Sequence, residues 1–446
     1  MEQKGELDLS VKVKDKIDTA TNMAEVAQKI AKKIEKKTKW LTISDKNKEF
    51  YYYDKEAKLW REDASNLVWY FVNEEDRTLK KHILGDIIHY LQGLNLVGRQ
   101  NFHAPEGWIS FKNHSLDAKH NYSLEIDDDP GLYIQSRFPV KYDSNGKCPN
   151  FTAFVDSLFD EEEDKITLLE TMALVLIPHI NFEKAVMYVG SGANGKSTLM
   201  KVLKKIIGKE NTIGISLQSL IENRFMSQQL DGALANIYAD IDDKRIKDLG
   251  PFKLMVSGDN ITVESKGGHP YTINPTTIHY FSSNALPEIT ENNLGVWRRF
   301  VMLDFPKSFA ANGDLNLLEK ITTDEELEGI VCWLVVVAKK MVQQGGFTYP
   351  QSLEDLQMRW RLQSNACIEM IEKSGLVKKQ LDGRISKREF YELYVQYCNK
   401  KKFTIKTDKT LSQQMTRAGY KVQKSGNERY WEGISKVEKK DGQEVL

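Results

Sequence analysis

Gly190-Ser191-Gly192-Ala193-Asn194-Gly195-Lys196-Ser197 is the stretch on which the reading of this 446-residue chain turns. It satisfies Gly-x-x-x-x-Gly-Lys-[Ser/Thr] at every fixed position. Its surroundings are those the pattern needs: a short apolar strand, Ala185–Val189, before it and a helix over Ser197–Ile207 after it. Glycines let such a loop curl until its N–H groups point inward at phosphate oxygens, and the helix start adds partial positive charge. The expected phosphate cradle is Gly190, Gly192, Ala193, Asn194, Gly195, Lys196, Ser197 and Thr198. Lys196 is expected to reach the β- and γ-phosphates and Ser197 to ligate Mg²⁺, so the pattern predicts ATP and Mg²⁺ as cofactors.

Such a loop needs a second acid for the metal and the attacking water. The strand Asn236-Ile-Tyr-Ala runs into Asp240, Asp242 and Asp243. Asp240 directly follows the apolar run and is the first choice as metal ligand with Ser197; Asp242 is the second. A third strand, Thr277–Asn284, ends in an amide that can hold a water against a γ-phosphate, or that simply forms a turn. Arg298-Arg299 precede a further apolar strand, Phe300–Phe305. They read either as surface charge or as an arginine finger, which neutralises charge on a transferring phosphoryl group. Apolar strands alternating with helices argue for a three-layer α/β domain on a mostly parallel sheet.

Three regions follow: an α+β N-terminal region over 1–145, the ATPase domain with flanking helices over 146–370, and a small basic domain over 371–446. In the first, Asn22–Lys37 has helical periodicity, Phe50–Arg61 reads as a hairpin, Leu67–Leu94 as helical and Gly107–Leu116 as strand. The chain is 41% apolar and 28% charged, which excludes global disorder. Its apolar runs are too short for a membrane span and its first residues too charged for a secretory signal. Four scattered cysteines without metal-ligand spacing predict free thiols in a reducing cytoplasm. The net charge is zero, but Lys373–Lys440 carries 18 basic against 7 acidic residues, which suggests a local polyanion contact.

Within that basic block Ser386-Lys-Arg-Glu389 is a capping box opening a helix, and Thr407–Gly419 reads as a second helix. Lys421–Ile434 forms a hairpin around Ser425-Gly426-Asn427. Helices followed by a β-wing resemble a winged helix-turn-helix, whose second helix enters the major groove. Gln413, Gln414, Thr416 and Arg417 would face base edges, and Lys424 and Arg429 would touch phosphates. A winged helix that docks protein is the competing reading. Upstream, Asn260–Ile273 alternates on both sides of Gly267-Gly268, a hairpin signal in itself.

The order P-loop, acidic strand, hairpin, Ser-Ser-Asn strand and Trp297-Arg-Arg resembles the superfamily 3 helicases, in particular the phage/plasmid and poxvirus-type primase–helicase branch. Within it the replication initiators of staphylococcal pathogenicity islands are the most similar group. Trp108–Asp117 looks like that branch's pre-ATPase strand and Glu326–Trp333 like its post-ATPase helix. The resemblance implies a hexameric ring of AAA+-like ATPase domains that moves along single-stranded DNA, with forked DNA, an origin duplex and host replication proteins as further partners. It implies Asp240 and Asp242 as Walker B acids, although Ile241 separates what many members place side by side, so Asp242-Asp243 stays an alternative pair. It implies Asn284 as sensor, Arg299 (with Arg298 second) acting on the neighbouring subunit's nucleotide, and the hairpin, through Lys266 and His269, as the DNA grip. No pair of strand carboxylates with a partnering His supports a built-in primase. Two other readings stay open: an ATP-switched origin-binding regulator that does not unwind, and a viral-type RNA helicase.

Overall fold

The computed structural model describes residues 23–437, apart from 76, 78–80, 126–128, 179, 292, 312, 402, 404 and 427. The chain forms two compact units: residues up to Lys141 with Glu264–Tyr271, and Tyr142–Val263 with Thr272 onward.

In the first unit a helix over 23–35 (α1), with Ala27, Ala31 and Ile34 buried, precedes strands β1 (Trp40–Ile43), β2 (Phe50–Asp54) and β3 (Leu59–Arg61). Helices α2 (Ala64–Glu75) and α3 (Lys81–Gln92) and strand β4 (Leu96–Val97) follow, and the sheet order is β3-β2-β1-β4. The helices cover one face, packing Trp40 with Val68, Ile83 and Ile87. The other face packs Leu41, Ile43, Tyr51 and Trp60 around Phe102. Because both faces are covered, all four residues of β1 are buried, Thr42 among them, rather than alternating between buried and exposed. The stretch expected to be helical over Leu67–Leu94 is two helices, the first ending at Glu75 and the second beginning at Lys81. Trp108–Asp117 is likewise two short antiparallel strands, β5 (Trp108–Ser110) and β6 (Ser115–Asp117), with β7 (Ser123–Glu125) alongside.

The second unit begins with α4 (Pro149–Leu158) and α5 (Glu162–Ala173) and builds a five-stranded parallel sheet. Its strands are β8 (Ala185–Val189), β9 (Thr212–Ile213), β10 (Ala235–Tyr238), β13 (Ile278–Ser283) and β14 (Phe300–Asp304), in the order β14-β8-β13-β10-β9. Between β10 and β13 the chain forms β11 (Ile261–Val263) and β12 (Tyr271–Ile273), which pair with each other. β8 has neighbours on both sides and all five of its residues are buried. Helices α6 (Lys196–Ile207), α7 (Leu217–Glu222), α8 (Gly250–Ser257) and α9 (Leu294–Trp297) lie between the strands, and α10 (Leu317–Lys320) follows β14.

The long helix α11 (Asp324–Gln344) buries Ile330, Leu334, Ala338 and Met341 and packs on α5 and α4. Thr323 caps its start and Gly345, at φ 76°, ends it. Its one buried acid, Glu326, accepts from Asn150 N–H (3.0 Å), Phe151 N–H (3.0 Å) and Asn150 Nδ2 (2.8 Å). The carboxylate therefore satisfies orphan donors at the start of α4 and favours the positive end of its dipole.

After α12 (Leu353–Gln363) comes a compact module: α13 (Ala366–Lys373), β15 (Val377–Ser386), α14 (Lys387–Lys401), α15 (Asp408–Arg417), β16 (Val422–Ser425) and β17 (Glu428–Lys436). Its antiparallel sheet has the order β15-β17-β16. Its core runs from Cys367 and Met370 on α13 through Phe390 and Tyr394 to Met415 and Trp431. Ser386 Oγ accepts from Glu389 N–H (3.1 Å) and Thr407 Oγ1 from Thr410 N–H (3.3 Å), the two expected caps. All four cysteines are free, and among the described residues no helix is long and apolar enough to cross a membrane.

Candidate active site

The P-loop leaves the carboxyl end of β8 and needs backbone conformations that favour glycine. Gly192 (φ 100°) and Gly195 (φ 88°) lie in the left-handed region, and so does Ala193 (φ 50°), a non-glycine holding a conformation that costs it energy. Gly190 is required for another reason. A Cβ there would stand 2.8 Å from the Phe305 carbonyl and 2.0 Å from Asn194 Nδ2.

Lys196 opens α6 with its side chain turned back over the loop. Its Nζ donates to Gly190 O (2.7 Å), Asn194 Oδ1 (2.9 Å) and Asn284 Oδ1 (3.2 Å), so each of the three ammonium protons has an acceptor. Burial pushes its pKa down to about 8, while the Asp240 carboxylate pulls in the opposite direction. Sheet order explains the meeting with Asn284. β13 lies between β8 and β10, so the tip of β13 is flanked by the P-loop on one side and the acidic strand end on the other. Asp240 follows β10 with φ 64°, again a strained position for a non-glycine.

These groups line one cavity of about 840 Å³ at the carboxyl ends of the strands. Lys196, Ser197, Thr198, Asp240 and Asn284 line it, together with Phe154 and Ser157 of α4 and Phe309 and Leu317 past β14. Asp242 and Asp243 are not on it. Asp242 is exposed and pairs with Lys244 (3.1 Å), and Asp243 bonds to Lys406 of the C-terminal module. Sequence reasoning missed the α4 wall, although Asn150, Ala153, Phe154 and Ser157 share a helical face by their spacing.

The residues suit a nucleoside triphosphate with Mg²⁺. The loop borders an open cavity, and a buried ammonium waits beside it with only neutral oxygens as direct acceptors. Among the described residues no cluster of three His, Cys, Asp or Glu could hold a metal by itself. Mg²⁺ does not need one, since phosphate oxygens and waters complete its shell around one or two protein ligands such as Ser197 and Asp240.

Arg298 and Arg299 are not brought to this cavity. In the β8–β14 register Ala185 faces Phe300 and Val189 faces Asp304, so the arginines sit at the amino end of the sheet and the P-loop at the carboxyl end. Their environments differ sharply. Arg299, with a side chain 10% exposed, donates to Gly295 O (2.6 Å), Ser257 Oγ (2.6 Å) and Lys253 O (3.2 Å), fastening α9 to α8. Arg298 is 55% exposed and has Glu183 at 3.2 Å.

Lys266 and His269 are exposed beyond β11. Within the first unit the His269 main chain is held by Asn47, whose Oδ1 accepts its N–H (2.8 Å) and whose Nδ2 donates to its carbonyl (2.9 Å).

On the C-terminal module the expected contact residues divide. Gln413, Thr416 and Arg429 share a groove of about 630 Å³ with Lys387 and Lys409, two cations the sequence reading passed over. Gln414 lines a different cavity, of about 700 Å³, shared with Arg245 and Trp360. Lys424 is exposed on β16, paired in register with Arg429. The Arg417 side chain lies outside the described residues.

Residues 188–299, which run from the P-loop strand to the arginine pair, match a family of unknown function (DUF5906). A protein of Acanthamoeba polyphaga mimivirus, "Putative helicase L207/L206", is 27% identical over 261 residues, covering 56% of this chain. The chain spans 27% of that relative's length. Solved apo structures of the NrS-1 C-terminal region superpose with TM-scores of 0.48, 0.46 and 0.46 at 12%, 13% and 14% identity, covering 90–91% of this chain and 97–98% of those chains.

Proposed function

We propose that this chain is an ATP-dependent DNA helicase of the superfamily 3 type, acting as replication initiator of a mobile element. The observation that carries the reading is the single cavity onto which three strand ends deliver Lys196, Asn284 and Asp240. A relative named as a helicase adds support. In this reading the P-loop N–H groups and Lys196 hold the triphosphate, Ser197 and Asp240 hold Mg²⁺, and Asn284 orients the attacking water. Bound Mg²⁺ supplies charge neutralisation on the phosphates.

The sheet leaves the arginine pair remote from the cavity of its own subunit, which favours action on a neighbour's nucleotide in a ring, probed below. The burial of Arg299 makes Arg298 the better candidate for that reach. Lys266 and His269 on the hairpin grip single-stranded DNA. The helix-strand-helix-helix-strand-strand order of the C-terminal module, with β17 central, supports a winged helix. Its groove with Lys387, Lys409, Gln413, Thr416 and Arg429 would meet the origin duplex.

Unwinding of a forked DNA duplex, with ATP and Mg²⁺, tests the proposal. Strand separation that requires hydrolysable ATP is expected. ATP hydrolysis and duplex binding without strand separation would favour a non-unwinding regulator, and stimulation by RNA above single-stranded DNA would favour an RNA helicase.

A further inference from the structure

Asn194 precedes the Gly-Lys pair at a position where the P-loop pattern demands no residue type, yet it is 3% exposed. Both ends of its amide are committed. Its Oδ1 accepts from Lys196 Nζ at 2.9 Å, and its Nδ2 points to the carbonyl of Phe305 at 3.4 Å. The amide lies directly on Gly190.

Phe305 begins the segment that crosses the loop after β14. That segment is tied down at two further points: Phe305 N–H donates to Val189 O (2.7 Å) and Phe309 N–H to Ala193 O (2.7 Å). The same segment brings Phe309 to the cavity wall.

We propose that Asn194 is the positioning residue for Lys196, bridging the lysine to the segment that follows β14 and so setting where the ammonium stands before a nucleotide arrives. The inference rests on the nucleotide reading above. A buried ammonium must have an acceptor for each proton, and the amide supplies one toward it from Oδ1 while a second atom, Nδ2, donates to a carbonyl behind. A carboxylate in this place would repel the Phe305 carbonyl and compete with phosphate for the ammonium. A serine or alanine would not span the gap. Asn284, the other side-chain acceptor, comes from a different strand; Asn194 belongs to the loop itself and stays with Lys196 when the γ-phosphate draws on Asn284.

The test is a double-mutant cycle on the full chain. The affinity of wild type, Asn194→Ala, Lys196→Ala and the double variant for a fluorescent ATP analogue with Mg²⁺ is titrated into the millimolar range. Melting temperatures are measured in parallel, and kcat and KM for ATP hydrolysis are taken on the single Asn194 variant. The expected result is a loss of about ten- to a hundredfold in affinity for Asn194→Ala, as for a hydrogen bond to a charged group, and almost no further loss when Lys196 is already alanine. If Asn194→Ala does not fold, Asn194→Ser enters the same cycle. Losses that add in the double variant, or wild-type affinity in the single one, would overturn the positioning role. If Lys196→Ala itself binds as wild type does, the nucleotide reading fails instead.

Discussion

The two ends of the parallel sheet carry the same kind of charge in opposite circumstances. At the carboxyl end Lys196 is buried, its direct acceptors are neutral oxygens, and it borders open space. At the amino end Arg299 is equally buried but consumed by its own chain, while Arg298 beside it is exposed against Glu183. A buried cation beside a cavity with its hydrogen bonds on exchangeable neutral acceptors is ready for an anionic ligand. One saturated by main-chain carbonyls and a hydroxyl is a fastener. An exposed one, held only by a part-exposed carboxylate, can exchange that partner for a second molecule.

The largest expected effect breaks the amino end into these two roles. Arg298→Ala should lower kcat for ATP hydrolysis by about 10³-fold with an unchanged melting temperature, the size expected for a transition-state arginine. Mixing it with Lys196→Ala should restore part of the activity, since some interfaces then pair an intact lysine with an intact arginine. Arg299→Ala should instead cost about 3 kcal/mol of stability, because buried partners lose their donor. If Arg299→Ala melts like wild type and is the variant rescued by mixing, the two roles are reversed.

At the other end, Lys196→Ala should reduce hydrolysis by about 10²–10³-fold and lower the melting temperature less than Arg299→Ala does, because the three acceptors it leaves border a cavity that water can enter. Lys266→Ala should keep basal hydrolysis within about twofold and lose fork unwinding, as a phosphate contact outside the cavity would. A gel assay on forked DNA beside a coupled ATPase assay reads both.

The smallest effect lies in the sheet between the two ends. His279 is fully buried in β13 against Phe252 and Phe281, and burial pushes its pKa down to about 4. An unfolded histidine titrates near 6.5, so between pH 6.5 and 4 the unfolded chain takes up a proton that the folded chain refuses. Its stabilisation is complete above that window and falls as pH falls, by on the order of 2 kcal/mol between pH 7 and 5. Calorimetry of His279→Leu should show a flatter dependence; an identical slope would assign acid sensitivity elsewhere.

Much of the second unit was legible because its signals are local. The strand Ala185–Val189 and the helix behind it stand where the glycine pattern and the apolar run put them. Residue choices one position apart were not legible. Arg298 and Arg299 differ only in which way a short turn faces. Gln413 and Gln414 point into different cavities because successive residues on a helix are about 100° apart. β15 escaped the reading because it is an edge strand: Lys378, Lys379, Asp382 and Arg384 are exposed, Val377 and Ile385 are buried, and a register shift between Lys379 and Arg384 breaks the alternation. The bridge made by Asn194 was invisible for a different reason, since its far partner is the backbone carbonyl of Phe305, which no residue pattern records.

The most direct test of this account is a structure of the protein with Mg²⁺ and a non-hydrolysable ATP analogue. The triphosphate is predicted to lie in the 190–197 loop, with Lys196 on its terminal phosphate, Ser197 and Asp240 at the metal, Asn194 still on Lys196, and Arg298 of an adjacent copy reaching the γ-phosphate. An analogue bound away from the carboxyl ends of β8, β13 and β10, or an arginine from the same copy reaching the phosphate, would contradict it.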